Sequence, residues 1–205
     1  MIHFESHPLY ERPEAEEAKN VKQPTLTYKG DIQCVETLTA SSLKQKQTWK
    51  PFELKTNVAT QRGTLFHEIM GQCSYPFQKQ EVIDFANGYG YTMRETDLKQ
   101  ILALNENEVY AQWMKEDHQF ECSYIISNDD AIIHGFMDLV IWLENETIIL
   151  DYKTDTVSNG QELIDLYHVQ LETYKDALQA CDDSKPIKTA LYSFHLNEII
   201  TLPDV

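Results

Sequence analysis

The segment Ile148–Asp155 holds residue types that could do chemistry at a very short spacing. If it forms a strand, residues two apart project from the same face, so Asp151 and Lys153 are predicted to stand side by side. Leu150 and Tyr152 then point the other way. A carboxylate beside an ammonium group can bind a metal ion and orient a water molecule. The same pair at a strand end could also be a solvated ion pair, which contributes only ~0–1 kcal/mol.

A second carboxylate, Asp138, lies in the apolar segment Gly135–Val140 upstream. Burying an unpaired carboxylate in such a strand is costly unless it meets a cation. Oxygen ligands from Asp138 and Asp151 would select Mg²⁺ or Mn²⁺, and Mg²⁺ commonly uses one or two carboxylates while it retains water. Such an ion can polarise a phosphate and activate water, which Lys153 can orient. The residue types therefore favour phosphodiester hydrolysis.

Three strand candidates must position these residues. Apolar residues recur with period two in 120–126, 132–143 and 147–153. Polar turns at 128–130 and 144–146 separate the three segments, so their order predicts an antiparallel meander. The strands that carry the two aspartates are neighbours in such a meander.

Segments of helical spacing lie on both sides of the meander. Gly63 is expected to mark the turn before a helix that starts at Thr64, and hydroxyl residues in 38–44 are expected to cap a further short helix. The fold class predicted is mixed α/β, with the early helices forming a lobe beside the sheet. The remaining predicted elements are a helical region over 94–114, a helix over 161–180, a strand over 189–195 and a hairpin through 196–202.

The charge balance restricts how the chain could hold a partner. Basic residues number 17 and acidic residues 33, so the net charge is -16. This argues against a free-standing protein that grips nucleic acid by neutralising phosphates. The objection is met if acidic residues cluster at a metal site and on a face turned away from the substrate, or if a basic partner chain delivers the substrate.

The chain has the length of about one large domain. Residues 1–30 have little apolar periodicity and are expected to form an arm or linker, with the folded domain over 31–205. No apolar run approaches the ~18–20 residues of a membrane span, and the N-terminus shows no signal pattern, so a cytoplasmic location is expected. The four cysteines form no C-x-x-C pair, which predicts neither a zinc site nor a disulfide framework.

The pattern Gly-x-x-Asp at 135–138, followed by Asp-Tyr-Lys-Thr-Asp at 151–155, resembles the core motif of the PD-(D/E)XK nucleases. The form is that of the RecB-like and AddA-like nuclease domains of bacterial helicase-nuclease complexes. The resemblance runs from Thr39 to Tyr192, and its motifs occur in family order. Three further motifs match, at Gly63–Glu68, Phe120–Cys122 and Tyr167–Tyr174.

The resemblance implies a set of metal ligands. Asp138 and Asp151 would bind the metal through their carboxylates, Tyr152 through its carbonyl oxygen, and His67 as a further ligand. Lys153 would position the attacking water. The metal implied is Mg²⁺, with Mn²⁺ as a substitute.

Three further residues are given supporting roles by the resemblance. Glu121 would be an outer ligand or hydrogen-bond partner, while Gln170 and Tyr174 would hold Lys153 or the phosphate. A separation of four places Gln170 and Tyr174 on one helix face. They could equally be an ordinary surface residue and a core residue, and Glu121 could simply face water.

The fold implied is a restriction-endonuclease-like mixed central sheet flanked by helices, with an extra N-terminal helical lobe. The function implied is that of a Mg²⁺-dependent deoxyribonuclease, an exonuclease that could also act as an endonuclease. It would act on single-stranded or unwound DNA ends in recombination and double-strand break repair, and its partner would be a helicase domain or helicase subunit. Some relatives carry an iron-sulfur cluster on one early and three late cysteines; the spacing here does not supply one, so no cluster is expected.

Other functions fit the same residues. A catalytically inactive module that keeps the nuclease fold would bind DNA or serve a structural role in a repair complex. An RNA-directed or junction-resolving nuclease would keep the chemistry and change the substrate. Three aromatic residues could stack on bases or pack in the core, namely Trp113, Tyr124 and Trp142.

Overall fold

A computed structural model of the chain describes residues 36–39, 58–127 and 131–202. These belong to one compact unit, Val35–Val205. The predicted arm, residues 1–30, lies outside the described residues, so the division into arm and domain stays a prediction. The elements are β1 (Glu36–Thr39), α1 (Val58–Gln72), α2 (Lys79–Gly88), α3 (Glu95–Ala103), a 3-10 turn (Leu104–Glu106), α4 (Glu108–Trp113), β2 (Asp117–Ser127), β3 (Ala131–Trp142), β4 (Thr147–Lys153), α5 (Gly160–Cys181), β5 (Ile187–Ser193) and β6 (Glu198–Thr201).

The six strands of the described residues form one mixed sheet. Its order is β1-β3-β4-β5-β6, and β2 pairs with the other edge of β3. The pairs β2–β3 and β3–β4 are antiparallel, which confirms the predicted meander. β4 and β5 are parallel, as a crossover through α5 requires, and β6 returns antiparallel to β5. β1 runs parallel to the first residues of β3.

β4 lies at the centre of the fold, because every one of its residues is buried. Its apolar side chains alternate between two hydrophobic clusters. Leu150 and Tyr152 pack with α1 to α4, whereas Ile149 packs with α5. Helices thus cover both faces of the sheet, and the predicted restriction-endonuclease-like architecture with an early helical lobe is confirmed.

The helical lobe differs from the prediction at its first helix. α1 begins at Val58 instead of Thr64, so the prediction that Gly63 forms a preceding turn is wrong. A Cβ at Gly63 would lie 3.4 Å from Thr154 Oγ1, so this part of α1 lies beside the residue that follows β4. Leu38 and Thr39, the first residues of the segment expected to cap a short helix, belong to β1, and the helix itself stays a prediction. Residues 40–44 lie outside the described residues.

The helical region predicted over 94–114 is divided into α3, the 3-10 turn and α4. Asn107 makes the division, because its side chain accepts a hydrogen bond of 2.9 Å from the Tyr110 N–H and caps α4. The sequence did not predict α2. Among the described residues, no helix has the length and apolar character needed to cross a bilayer.

The later elements agree with the prediction to within two residues. α5 begins at Gly160, where the side chain of Asn159 accepts a hydrogen bond of 3.2 Å from the Glu162 N–H. β5 runs over 187–193 where 189–195 was predicted, and β6 forms the predicted hairpin with it. The buried residues of α5 recur about once per turn along one side of the helix, namely Leu163, Tyr167, Gln170, Leu171, Thr173, Tyr174 and Ala177.

Candidate active site

β3 and β4 separate beside the two aspartates. Leu139 and Leu150 are the last pair in their ladder on this side. Beyond it, Asp138 Oδ2 accepts a hydrogen bond of 2.8 Å from the backbone N–H of Tyr152. The carboxylate takes the place of the strand carbonyl that would continue the ladder. The separation opens a gap in the sheet at the carboxylates.

Three carboxylates form a row across β2, β3 and β4. The β2–β3 pairs on either side place Glu121 opposite Asp138, and the β3–β4 register, continued by one step, places Asp138 opposite Asp151. All three carboxylates line the same cleft. Asp138 and Asp151 are buried. Glu121 is exposed and has a φ of 50°, a left-handed conformation that is strained for a non-glycine residue.

His67 brings a nitrogen donor to this row from α1. Its Nδ1 lies 3.1 Å from Asp138 Oδ2. One donor atom from each of His67, Glu121 and Asp138 lies within 4.8 Å of the other two. Thr60 and Thr64, at helical spacing from His67, line the same cleft. This face of α1 therefore forms one wall of the site.

The donor set fits a divalent cation. Carboxylate oxygens suit Mg²⁺ and Mn²⁺, and an imidazole widens the choice to other transition metals. The Tyr152 hydroxyl lies 2.8 Å from that of Tyr110 inside the core, so only the Tyr152 backbone is available to the site. Asp151 stands outside the group of three donors and forms an ion pair with Lys153. Which of these residues bind a metal stays a prediction.

The electrostatics of the row also favour a cation. Burial, and then the charge of Asp138, raise the pKa of the Asp151 carboxyl to about 6, although Lys153 opposes the shift. Burial and Asp138 raise the pKa of Glu121 in the same way. Burial lowers the pKa of His67, but the charge and hydrogen bond of Asp138 outweigh it and raise that pKa overall. A bound cation would relieve the repulsion among the carboxylates.

Lys153 is held between β4 and α5. Its ammonium group pairs with Asp151, donates to Gln170 Oε1 at 3.3 Å, and lies 4.0 Å from the centre of the Tyr167 ring. Gln170 Nε2 in turn donates to the Tyr174 hydroxyl at 2.6 Å. The structure thus brings together Lys153, Gln170 and Tyr174, which the family resemblance implied would hold either Lys153 or the phosphate. The ring of Tyr167 also contacts Lys153. Tyr167 begins the motif at Tyr167–Tyr174, but the resemblance gave this residue no role.

Arg62 ties the segment after Lys153 to the helical lobe. Its guanidinium donates to Asp97 Oδ1 at 2.9 Å, to the Thr154 carbonyl at 2.9 Å and to Gln100 Oε1 at 2.6 Å. Asp97 is 1% exposed and also accepts from Arg94. This connection was not predictable from the sequence, because no local pattern distinguishes Arg62 or Asp97.

All of these groups face one open cleft of about 1220 Å³. The metal-ligand candidates, Lys153, Gln170 and Tyr174 line it together with Arg62 and Phe136. Trp113, Tyr124 and Trp142, considered above as base-stacking residues, instead pack against the two hydrophobic clusters. The arrangement can bind a cation beside an ammonium group in a cleft large enough for a polymer strand.

Comparisons with known proteins agree with this geometry. A family model described as the PD-(D/E)XK nuclease superfamily matches residues 39–201. The chain belongs to this superfamily. The predicted resemblance is therefore confirmed.

Curated relatives within the superfamily are far longer than this chain. An ATP-dependent helicase/nuclease subunit from Oceanobacillus iheyensis is 31% identical over 108 residues, which cover 50% of this chain and 8% of the relative. The subunit of the same name from Ligilactobacillus salivarius is 37% identical over 71 residues, covering 35% of this chain and 6% of the relative. The matched part is less than a tenth of each of these two relatives.

A solved structure shares the fold. A protein described as an exonuclease from Eubacterium rectale has a TM-score of 0.50 and 13% identity, covering 75% of this chain and 62% of that chain. At this identity the likeness concerns the fold alone. It supports the mixed sheet flanked by helices.

Proposed function

We propose that the chain is a Mg²⁺-dependent nuclease that hydrolyses phosphodiester bonds of DNA. The observation that carries the proposal is the row of Glu121, Asp138 and Asp151 with His67 at one side and Lys153 at the other. Its membership of a nuclease superfamily supports the same chemistry. Mn²⁺ fits the same donors as a substitute.

Each residue of the row has a role in this mechanism. Asp138 and Asp151, with His67 and the Tyr152 carbonyl, would hold the metal, and Glu121 would support it. Once bound, the metal supplies Lewis-acid polarisation of the phosphate and lowers the pKa of a coordinated water.

The lysine side of the site serves the nucleophile. Lys153 orients the attacking water and stabilises the charge that develops on the phosphate. Gln170 fixes the ammonium group through its Oε1, and Tyr174 fixes Gln170. A lysine that is held on two sides in advance reorganises little during the reaction, and this favours catalysis.

We also propose that the chain works with a helicase domain or subunit on single-stranded or unwound DNA ends, in recombination and double-strand break repair in the cytoplasm. The names of the relatives support a helicase partner. The net charge of -16 supports it too, because a motor that delivers the strand removes the need for strong phosphate binding. Digestion from a strand end is the proposed mode.

The test is cleavage of end-labelled single-stranded DNA with Mg²⁺ or Mn²⁺ by the wild type and by Asp138→Asn and Lys153→Ala. Each variant is expected to lower the rate roughly 100-fold or more, as loss of one transition-state contact does. Lys99→Ala is the control, since Lys99 is an exposed lysine that pairs with Glu95 on α3. It should cleave like the wild type.

The outcomes separate the candidate functions. Equal cleavage by the wild type and both site variants would refute the assigned residues. Absence of cleavage by every protein, with binding retained, would favour the inactive DNA-binding module. A parallel set with single-stranded RNA and a four-way junction decides the substrate, and faster cleavage of either one would replace DNA ends in the proposal.

A further inference from the structure

Phe136 is an exposed aromatic residue in the cleft. Its side chain is 56% exposed, and it belongs to neither hydrophobic cluster of the described residues. Single exposed apolar residues are common on protein surfaces, and Tyr89 and Ile125 are others in this chain. Within the described part of the chain, however, Phe136 is the only large exposed apolar residue that lines the cleft.

The position of Phe136 on β3 places it next to the carboxylates. It precedes Asp138 by two residues, which corresponds to ~7 Å along a strand. β1 pairs with β3 only as far as His134, and β4 pairs only from Leu139 onward. On that edge, residues 135–138 have no partner strand among the described residues. Phe136 therefore lies at the opening where a strand of substrate would reach the carboxylates.

The acidic charge of the chain makes such a residue useful. A protein with 33 acidic and 17 basic residues gains little from phosphate neutralisation. Stacking of a base on an aromatic ring depends on no charge and tolerates any sequence, since every base has a π-face. The ring would hold the nucleotide while the phosphate next to it lies at the carboxylates.

We propose that Phe136 stacks on a nucleobase next to the scissile phosphate and so positions single-stranded nucleic acid in the cleft. The proposal rests on the nuclease function proposed above. It assigns substrate positioning to a residue of β3 that takes no part in the metal site. It also gives a strongly acidic chain a contact with a strand that requires no neutralised phosphate.

The experiment measures binding of a labelled single-stranded oligonucleotide by fluorescence anisotropy in the presence of Mg²⁺. All proteins carry Lys153→Ala to suppress cleavage. Phe136→Ala is compared with Phe136→Trp, which keeps an aromatic face, and with Ile125→Ala, which removes an apolar side chain that is 76% exposed on β2 outside the cleft. Each protein is also titrated with a set of oligonucleotides that lack one base at successive positions.

The expected result is that Phe136→Ala weakens binding about 10-fold, the size of one lost base-aromatic stack. Phe136→Trp restores the affinity, and Ile125→Ala leaves it unchanged. Removal of the base at one position lowers the affinity of the protein that retains Phe136 by a similar factor. The same removal does not lower the affinity of Phe136→Ala any further. That non-additivity identifies the base as the partner of the ring.

Three results would overturn the inference. If Phe136→Ala binds the oligonucleotide as tightly as the protein with Lys153→Ala alone, while the wild type cleaves DNA, the inference fails and the proposed function stands. The exposed ring would then not contact the substrate. If the abasic loss and the alanine loss add independently, the ring contacts something other than the base. If the wild type neither binds nor cleaves any single strand, the proposed function fails together with the inference.

Discussion

Asp138 has two contacts that belong to different parts of the fold. Its Oδ2 accepts the Tyr152 N–H at 2.8 Å and lies 3.1 Å from His67 Nδ1. The first contact replaces a bond of the sheet, and the second joins the sheet to α1. An asparagine at this position keeps an acceptor oxygen for Tyr152 and removes the charge, so Asp138→Asn is a milder test of metal binding than alanine.

Gln170 is a positioning residue, because it acts on Lys153 and does not touch the row of carboxylates. Gln170→Leu removes the Oε1 that accepts from Lys153 at 3.3 Å. We expect kcat to fall about 10-fold with little change in KM, since the substrate contacts remain and the loss corresponds to roughly one hydrogen bond to a charged group. Steady-state kinetics on single-stranded DNA measure this.

The matched control for this prediction is Gln161→Leu on the same helix. Gln161 is exposed and bonds only to Asp165 in the described structure. The control variant should leave both kinetic parameters unaltered. A rise in KM of the Gln170 variant without a fall in kcat would contradict the positioning role.

The chemistry of single residues was predictable where it depends on spacing within one element. Asp151 and Lys153 share a face because they are two apart on a strand, and Gln170 and Tyr174 meet because they are four apart on a helix. Contacts between distant segments were not predictable from one sequence. Arg62 binds the Thr154 carbonyl across 92 positions, and nothing near either residue indicates it.

At the scale of elements, Asp97 connects α1, α3 and the end of β4. It accepts hydrogen bonds from Arg62, Arg94 and Tyr91 while almost fully buried. Through Arg62 it also fixes the Thr154 carbonyl, directly after the catalytic candidate Lys153. Asp97 therefore adds a polar connection to the apolar packing that joins the helical lobe to the end of β4.

Asp97→Asn should destabilise the protein in a pH-dependent way. Burial raises the pKa of Asp97, but the bonds from Arg94, Arg62 and Tyr91 outweigh it and hold the pKa below its ordinary value of 3.8. The stabilisation is thus fully present above pH 3.8 and is lost as the pH falls through the lowered pKa. We expect Asp97→Asn to lower the free energy of unfolding by about 3 kcal/mol near neutral pH. This difference from the wild type should become smaller below about pH 4.

Urea unfolding of the wild type and Asp97→Asn across this pH range measures the difference. Glu95→Gln serves as the control, because Glu95 is exposed on the same helix and pairs only with exposed Lys99 in the described structure. Its stability should match that of the wild type near neutral pH. If the difference in the free energy of unfolding between the wild type and Asp97→Asn stays constant down to about pH 3, the carboxylate charge is not the source of the stabilisation.

The elements were predictable where periodicity was unbroken. β2 to β4 and α5 were foreseen because each contains a run rich in apolar residues that is bounded by polar turns, and in α5 the apolar residues recur every turn. The ends of α1, the division at Asn107 and the existence of β1 were not foreseen. β1 pairs with the distant strand β3, and Arg62 in the first turns of α1 binds Asp97 and Thr154, contacts that one sequence does not reveal. Asn107 instead caps α4 through a local hydrogen bond, and the helical spacing across 94–114 masked that cap.

At the scale of the whole molecule, the net charge of -16 sets the expected response to salt. Proteins that neutralise 6–10 phosphates lose ~10³–10⁵-fold in affinity between 50 and 200 mM salt. We expect KM of this chain on single-stranded DNA to rise less than about 10-fold over the same range, because few phosphates are neutralised. Steady-state cleavage across a salt series tests this.

Phe136→Ala provides a comparison for the predicted salt dependence of KM. The salt dependence of Phe136→Ala should have the same slope as the wild type, because stacking releases no counterions. A steep slope for the wild type would instead reveal a basic path for DNA and contradict the idea that a partner delivers the strand.

The opening at residues 135–138 results from the order of the strands. Along one edge of β3, the pairing with β1 ends at His134 and the pairing with β4 begins at Leu139. Insertions or deletions in the surface turn 144–146 would therefore leave its width unaltered. If β1 and β4 were each longer by a residue or two, they would instead pair with residues 135–138 of β3. That pairing would close the opening. The width of this opening thus depends on the lengths of β1 and β4 and is independent of the length of that turn.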